Sequence, residues 1–343
     1  MSTKSLLLKL LSDNAGHFVS GEKIGEVLGV SRTAVNKACA ALRKEGYLIE
    51  SRTNKGYMLS EHGTLLTVDG TQAYVNIPCS LEVYDVVTST NEVAKTVESD
   101  ALFRPLVIIA DKQTAGKGRL GRRFESPAGA GLYMSFVLKP DFDIRKSLYV
   151  TMAAAVGTCR AIENVTGHHP GIKWVNDLYL GSKKICGILT EARSDLETGT
   201  VDRLITGIGV NCYPGSFPPD VSAIAGSIAN DPAEFAREVL AADMINEILP
   251  LITRPDTSSF LDEYRERCFI LGKEIKIHPS YNDAGIRARA IDIADDGGLL
   301  VEYLEDAKAS DLLTASGSAA DILRRAKAGT EDILHTGEIS ISL

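Results

Sequence analysis

The sequence predicts an α+β chain in three parts: a helical head closed by a hairpin, a central mixed α/β segment and a small C-terminal β-barrel. Three observations predict it. Apolar residues recur at helical spacing from Ser5 to Leu42, helix and strand patterns alternate over residues 63–268, and short alternating strands follow from Phe269. The length of 343 residues fits two or three domains at roughly 100–200 residues each.

In the head, "SLLLKLLSD" has helical spacing, and "SGEKIGEVLGVSRTAVNKACAALRKEGYLI" gives two further short amphipathic helices around the tight "LGVS". Ile24, Val27 and Leu28 form the inward stripe of the first, and Ala34, Val35, Ala38, Ala41 and Leu42 that of the second. Gly29 suits the turn, and Ser31 is a natural N-cap. Beyond Gly46, "YLIESRTNKGYML" reads as two strands around a polar, basic tip. This is the pattern of a winged helix-turn-helix over residues 1–62. Its second turn-flanking helix projects Arg32, Thr33, Asn36 and Lys37 away from the apolar stripe, and its wing carries Arg52 and Lys55. Groove insertion into DNA requires such a face. A small helical interaction domain with an incidental basic face is the alternative.

Charge separates the parts. Residues 1–60 carry 9 Lys and Arg against 5 Asp and Glu, while the rest carry 28 against 40, within a net charge of −8. A basic head on an acidic body suits a polyanionic partner for the head alone. No apolar run reaches the roughly 18 residues of a membrane span. "LLLKLL" is broken by Lys9 and has no cleavage site, so it reads as a helix face. Six cysteines without a C-x-x-C pair fit reduced thiols in a cytoplasmic protein.

The central segment opens a helix at "STNEVAK" with the capping-box pattern Ser89-x-x-Glu92. "PLVIIAD" and "GLYMSFVLK" read as buried strands, "SLYVTMAAAVGTCRAIENVTG" as a long helix ending at Gly167, and "GIKWVNDLYL" with "KKICGILTEAR" as strand–turn–strand about Gly181-Ser182. A further strand, "DRLITGIGVNCY", precedes the helices "AEFAREVLAADMINEIL" and "SSFLDEYRERC". The C-terminal strands are "GKEIKIH", "GIRARAIDIA", "GLLVEYL" and "GEISISL", interrupted over 307–333 by what reads as an inserted helix or loop.

Between the two buried strands lies "DKQTAGKGRLGRRFESPAGAG", whose Gly116, Gly118 and Gly121 satisfy G-x-G-x-x-G. A dinucleotide loop needs a helix at the third glycine; here Pro127, Gly129 and Gly131 lead to a strand instead. A Walker loop ends in Gly-Lys-Ser/Thr, and Gly121-Arg122-Arg123 does not. What remains is a strand–loop–strand with glycine-freed amides and several cations, an arrangement that binds anions and neutralises more than one at once. Two reacting anions, a carboxylate and a triphosphate, need such a place. A basic surface loop and an RNA-phosphate contact stay open on spacing alone.

Taken together, "STNEVAK", "ADKQTAGKGRLGR", "SPAGAGLYMS", "KWVNDLYLGSKKICGIL" and "GIGVN" resemble the biotin–protein ligases. With the head, the chain resembles the bifunctional bacterial ligases that also act as biotin operon repressors. The resemblance implies a ligase domain over 63–268, an SH3-like barrel over 269–343, and a reaction of biotin with ATP that gives biotinyl-5′-adenylate and pyrophosphate. The acyl group then passes to a lysine of a carboxylase's biotin carboxyl carrier domain. It also implies operator DNA as a partner, a ligand-linked homodimer and Mg2+.

By the same resemblance Ser89, Thr90, Asn91 and Gln113 satisfy the ureido ring, and Gly116, Lys117, Gly118 and Arg119 close over the carboxylate and α-phosphate. Lys184 matches the active-site lysine, contacting biotin and acyl phosphate. Arg119, Arg122, Lys173, Trp174, Asn176, Asp177 and Asn211 hold the adenylate, and Asp177 contacts magnesium or guides the incoming amine. Lys184, Arg119 and Asp177 are thus the expected catalytic residues. Val175 stands where the family usually has proline, Leu120 where the residue is often basic, Lys117 where arginine is common, and the 307–333 insertion is not normal for the family. Two rivals remain: a DNA-binding sensor whose ligase domain is inactive, and a lipoate-type ligase.

Overall fold

A computed structural model describes residues 2–60, 65–98, 102–140, 142, 147–194, 201–253, 260–278, 285–307, 317–335 and 338–341. The head is the expected winged helix-turn-helix: helices α1 (Thr3–Ser12), α2 (Gly21–Leu28) and α3 (Arg32–Lys44), then the antiparallel pair β1 (Ile49–Arg52) and β2 (Gly56–Leu59). Ser31 caps α3 by accepting from the Ala34 amide at 3.2 Å, and Gly29 ends α2 at φ 64°. Leu7, Leu8, Leu11, Ile24, Val35, Cys39 and Leu42 make its core. The expected stripe of α2 is corrected at Val27, which is 58% exposed. From this two-turn helix the head's core takes Ile24, fully buried, with Leu28 packed against it partly buried. The wing is tied back by a bridge between Val19 and Tyr57. At Gly56 (φ 103°) any Cβ would lie 2.0 Å from the Val19 carbonyl oxygen, so only glycine fits.

After α4 (Val68–Gln72) the chain builds a seven-stranded sheet from β3 (Ser80–Val87), β4 (Leu106–Gln113), β5 (Gly131–Leu138), β6 (Gly171–Lys173), β7 (Asp177–Leu180), β8 (Lys183–Ser194) and β9 (Val201–Asn211). Their order is β3-β4-β5-β9-β8-β7-β6, with β3 and β4 parallel and the other pairs antiparallel. The "WVN" stretch, expected within one strand, is a turn, so β6 and β7 form their own hairpin. The Trp174–Val175 peptide is cis.

Helices α6 (Ser147–Thr166) and α8 (Arg237–Thr253) cover one face of the sheet, α5 (Thr90–Thr96) covers part of the other, and the single turn α7 (Pro219–Ser222) lies between β9 and α8 along the chain. β4 shows the division residue by residue: Val107 and Ile109 join the α6/α8 core, whereas Leu106 and Ile108 join a second core with Ala94. The small residues of "MAAAVG" let α6 and α8 approach closely; a Cβ at Gly157 would sit 2.7 Å from Ile248 Cγ1.

α9 (Leu261–Arg267) leads to a five-stranded antiparallel sheet of β10 (Glu274–His278), β11 (Ile286–Ile293), β12 (Leu299–Tyr303), β13 (Glu331–Leu334) and β14 (Glu338–Ile341), ordered β13-β12-β11-β10-β14. This is the form the expected barrel takes. Its buried residues belong to the same continuous core as the central sheet. Within the segment read as an insertion, α10 (Gly317–Arg325) is a helix, and β13 pairs with β12 as a strand of the sheet itself.

Glu238, on α8, joins the head to the central segment. Its buried carboxylate accepts from Tyr47 Oη at 2.6 Å and from the Thr67 amide and hydroxyl at 2.8 Å each. Lys4 of α1 pairs with Glu45 and Asp69 alongside. Burial raises the Glu238 carboxyl above the ordinary carboxylate range despite its donors. The folded state therefore holds that proton more tightly than the unfolded chain, and stability declines as pH rises from about 4.3 toward the folded value. Glu238→Gln should keep the head docked and flatten the fall in Tm as pH rises above about 4.3. Glu238→Ala should lower Tm at all pH, since losing the shared acceptor costs about 1–3 kcal/mol; thermal melts across pH check both.

Candidate functional site

The alternation of β8 and β9 creates the site. Cys186 and Ile188, Ile208 and Val210 point into the core under α6 and α8, and Thr190 Oγ1 bonds Thr151 Oγ1 of α6 at 2.8 Å. The opposite face presents Gly187, Leu189 and Glu191 from β8, and Gly207 and Gly209 from β9, with Gly187 opposite Gly209 and Leu189 opposite Gly207. Three glycines in neighbouring register leave the sheet bare there, and a cavity of about 950 Å³, open mouth included, lies over it.

A β-bulge puts a cation into this cavity. β7 and β8 pair Leu178 with Cys186 but Tyr179 with Lys184, so Ile185 is one residue too many on β8. Without it Lys184 would share the buried face of Cys186; with it, Lys184 lies beside Gly187, 3.5 Å from where a Cβ would be. Its Nζ meets Asp177 Oδ1 at 2.7 Å, both side chains being partly buried. Asn176 is fixed at the same edge: its backbone carbonyl accepts from the Ile188 amide, and its Nδ2 donates to the Ile188 carbonyl, each at 2.9 Å. Its Oδ1 receives Arg119 Nη1 at 3.1 Å.

Arg119 comes from the glycine-rich loop, which is a small hairpin. Gly118 N donates to Arg122 O at 2.7 Å and Phe124 N to Gly116 O at 2.9 Å, around a tip at Leu120 (φ 55°) and Gly121 (φ 74°). The amides of Gly118 and Arg122 are thus taken up inside the loop, because its two arms pair with each other; this corrects the expectation of glycine-freed amides at those positions. Cations supply the loop's positive field, with Lys117, Arg119, Arg122 and Arg123 all lining the cavity. Lys117 Nζ meets Glu92 Oε1 at 2.6 Å, and that bond, followed by the one from Lys95, holds the Glu92 carboxyl below its ordinary range. Glu92 therefore does not serve the expected capping box, and Ser89 starts α5 without a side-chain cap.

At the other end Ser89, Thr90, Asn91 and Gln113 meet. Gln113 Oε1 accepts from the Thr90 amide at 2.9 Å, its Nε2 donates to Ser126 Oγ at 2.9 Å, and Ser135 Oγ lies 2.7 Å from Thr90 Oγ1. Lys173 and Trp174 line the opposite side, where the indole Nε1 donates to the Gly297 carbonyl in the C-terminal sheet at 3.1 Å and Ile339 of β14 also borders the cavity. So of the expected ligand residues, Ser89, Thr90, Asn91, Gln113, Lys117, Gly118, Arg119, Arg122, Lys173, Trp174, Asn176, Asp177 and Lys184 surround one cavity. Gly116 and Asn211 do not border it. Gly116 packs against the loop's return, a Cβ there meeting Phe124 O at 2.4 Å, and Asn211 donates to the Gly226 carbonyl at 3.0 Å. Phe124, Gly207 and Gly209 were missed, because their roles depend on strand register; the glycines of "GIGVN" were the available signal.

In the head, Arg32, Thr33, Asn36, Lys37, Arg52 and Lys55 are all exposed. Asn36 Oδ1 accepts from Tyr57 Oη, and Arg52 stacks on Phe18 at 5.0 Å from the ring centre, so helix and wing present one surface.

The biotin/lipoate A/B protein ligase family matches residues 83–211, and an HTH domain matches residues 3–58. The bifunctional ligase/repressor BirA of Bacillus subtilis is 32% identical over 316 residues, covering 88% of this chain and 94% of that protein. The chain belongs to the biotin/lipoate protein ligase family. Within the family, BirA of Escherichia coli is 29% identical over 88% of this chain and 94% of its own length. The fold of this family's Aquifex aeolicus biotin protein ligase, in complex with biotin and ATP, matches with TM-score 0.55 at 24% identity, over 77% of this chain and 98% of that one.

The bare sheet makes a prediction. A Cβ at Gly209 would stand 2.4 Å from the Phe124 ring. Gly209→Ala should push that ring and the loop's return arm off the sheet, so amide exchange at Phe124 speeds at least tenfold while the α6/α8 core stays protected.

Proposed function

We propose that this chain joins biotin to ATP as biotinyl-5′-adenylate with release of pyrophosphate, passes the biotinyl group to one lysine of a carboxylase carrier domain, and represses biotin genes through its head. The convergence of Lys184, Asp177 and Arg119 on one cavity carries the reading. It is supported by relatives whose names state both ligase and repressor.

The proposed mechanism follows from charge. Biotin's carboxylate and ATP's α-phosphate repel; the ammonium of Lys184 and the guanidinium of Arg119 offset that repulsion where the oxygen must attack phosphorus. As pyrophosphate leaves, Arg122 and Lys117 face the developing charge. The ureido ring takes the opposite end, with Ser89, Thr90, Asn91 and Gln113 as its polar partners. In the second step Asp177, released as Lys184 turns to the acyl phosphate, accepts a proton from the incoming lysine amine. Trp174 and Lys173 bound the nucleotide side. Mg2+ would be carried chiefly by ATP's phosphates, where it neutralises charge; Asp177, the one carboxylate among the lining residues, suits an ion that uses few protein ligands.

The proposal extends to organisation: a DNA-binding unit over 1–62, a ligase unit over 63–268 and a C-terminal unit over 269–343, in a cytoplasmic protein. A homodimer that binds adenylate more tightly than the monomer does would set two heads on a two-fold symmetric operator. Pyrophosphate release with biotin and ATP, and its absence with lipoate, tests the ligase reading and separates it from both rivals. Lys184→Ala should leave the melt unchanged and slow adenylate formation at least a hundredfold; near-wild-type turnover removes it from the site. Replacing Arg32 and Lys37 by alanine should abolish operator binding in a mobility-shift assay while adenylation persists, and loss of both would mean a misfolded head.

A further inference from the structure

Asn91 is held from three sides. Its Nδ2 donates to Glu191 Oε2 at 2.8 Å, its Oδ1 faces Ser135 Oγ at 2.6 Å, and that oxygen sits where a Cβ on Gly207 would be, at 2.3 Å. Asn91 and Gly207 border the cavity; Glu191 and Ser135 do not. Glu191 is in turn paired with the Lys95 ammonium at 2.8 Å. A carboxylate accepts and cannot donate, so turning the Asn91 amide over would set its oxygen against Glu191. The carboxylate therefore permits one of the two amide orientations, since the other would set two oxygens face to face beside a buried side chain.

We infer that Glu191, acting through Asn91, is a positioning residue for the ring of biotin: it fixes which amide atom faces the cavity and so which hydrogen bonds the ureido group meets. The inference rests on the ligase reading above. Ser135 supports the same orientation from below, but its hydroxyl donates or accepts; the Leu189 carbonyl also accepts from Nδ2, at 3.5 Å, a longer contact than the 2.8 Å one to Glu191, which leaves the carboxylate as the stronger selector.

The test uses the full-length protein, with biotin binding by calorimetry and adenylate formation by pyrophosphate release. Glu191→Ala should raise the Kd and KM for biotin about tenfold to a hundredfold, the cost of one mismatched buried polar group. The KM for ATP and the kcat at saturating biotin should stay within about threefold. Glu191→Gln has a single oxygen for two donors, Asn91 Nδ2 and the Lys95 ammonium, and its NH2 can face either, so it loses the selection and should bind biotin about as weakly as Glu191→Ala despite its matching shape. A kcat loss with unchanged KM, a Gln variant that binds biotin like the wild type, or unchanged binding in both variants would overturn the inference. Failure of the wild-type protein to bind biotin would instead overturn the ligase reading itself.

Discussion

The register between β8 and β9 is the constraint on which the site depends. It aligns Gly187 with Gly209 and sets Gly207 on the same face, so a sheet packed on its other side by two helices is stripped of side chains here. A one-residue slip would exchange those glycines for Ile188, Ile208 and Val210, fill the cavity and expose the core. The bulge at Ile185 then makes one local exception to the alternation and turns Lys184 inward. The α6/α8 packing therefore holds the cavity empty, and the site draws its shape from the stability of the core behind it.

Charge is handled differently at the two ends of the cavity. At the end lined by Ser89 and Gln113, amides and hydroxyls are bonded in one connected set from Glu191 through Asn91, Ser135, Thr90 and Gln113 to Ser126. Such a set is costly to leave unsatisfied and so tolerates few ligands. At the other end, the Lys184–Asp177 pair and the bond from Arg119 to Asn176 are partly exposed and charged, contacts that a pair of anions can exchange for better ones. Amides and hydroxyls thus dominate one end of the cavity, and charged side chains the other.

The sequence carried much of this because its signals were local. Helical spacing and the Ser31 cap defined the head, while the cationic glycine loop and "KWVND", far apart in sequence, were joined into one site by the resemblance to the biotin–protein ligases. What escaped was set by distant contacts. Phe124 follows the loop but matters only because Gly209, far along the chain, leaves room for its ring. Glu92 fits a capping box by spacing, yet two lysines, one from the loop, offer its carboxylate stronger partners than a backbone amide. Val27 belongs to an apolar stripe that the small head has no space to bury. Asn211 sits in a quoted motif but spends its amide on holding Gly226.

The bond from the Trp174 indole to Gly297 ties the molecule's sole tryptophan to a turn of the C-terminal sheet while its ring borders the cavity. The protein thereby carries a built-in optical reporter: one indole stands at the cavity and at its junction with the C-terminal sheet, so its emission is read with no label and no second indole to subtract.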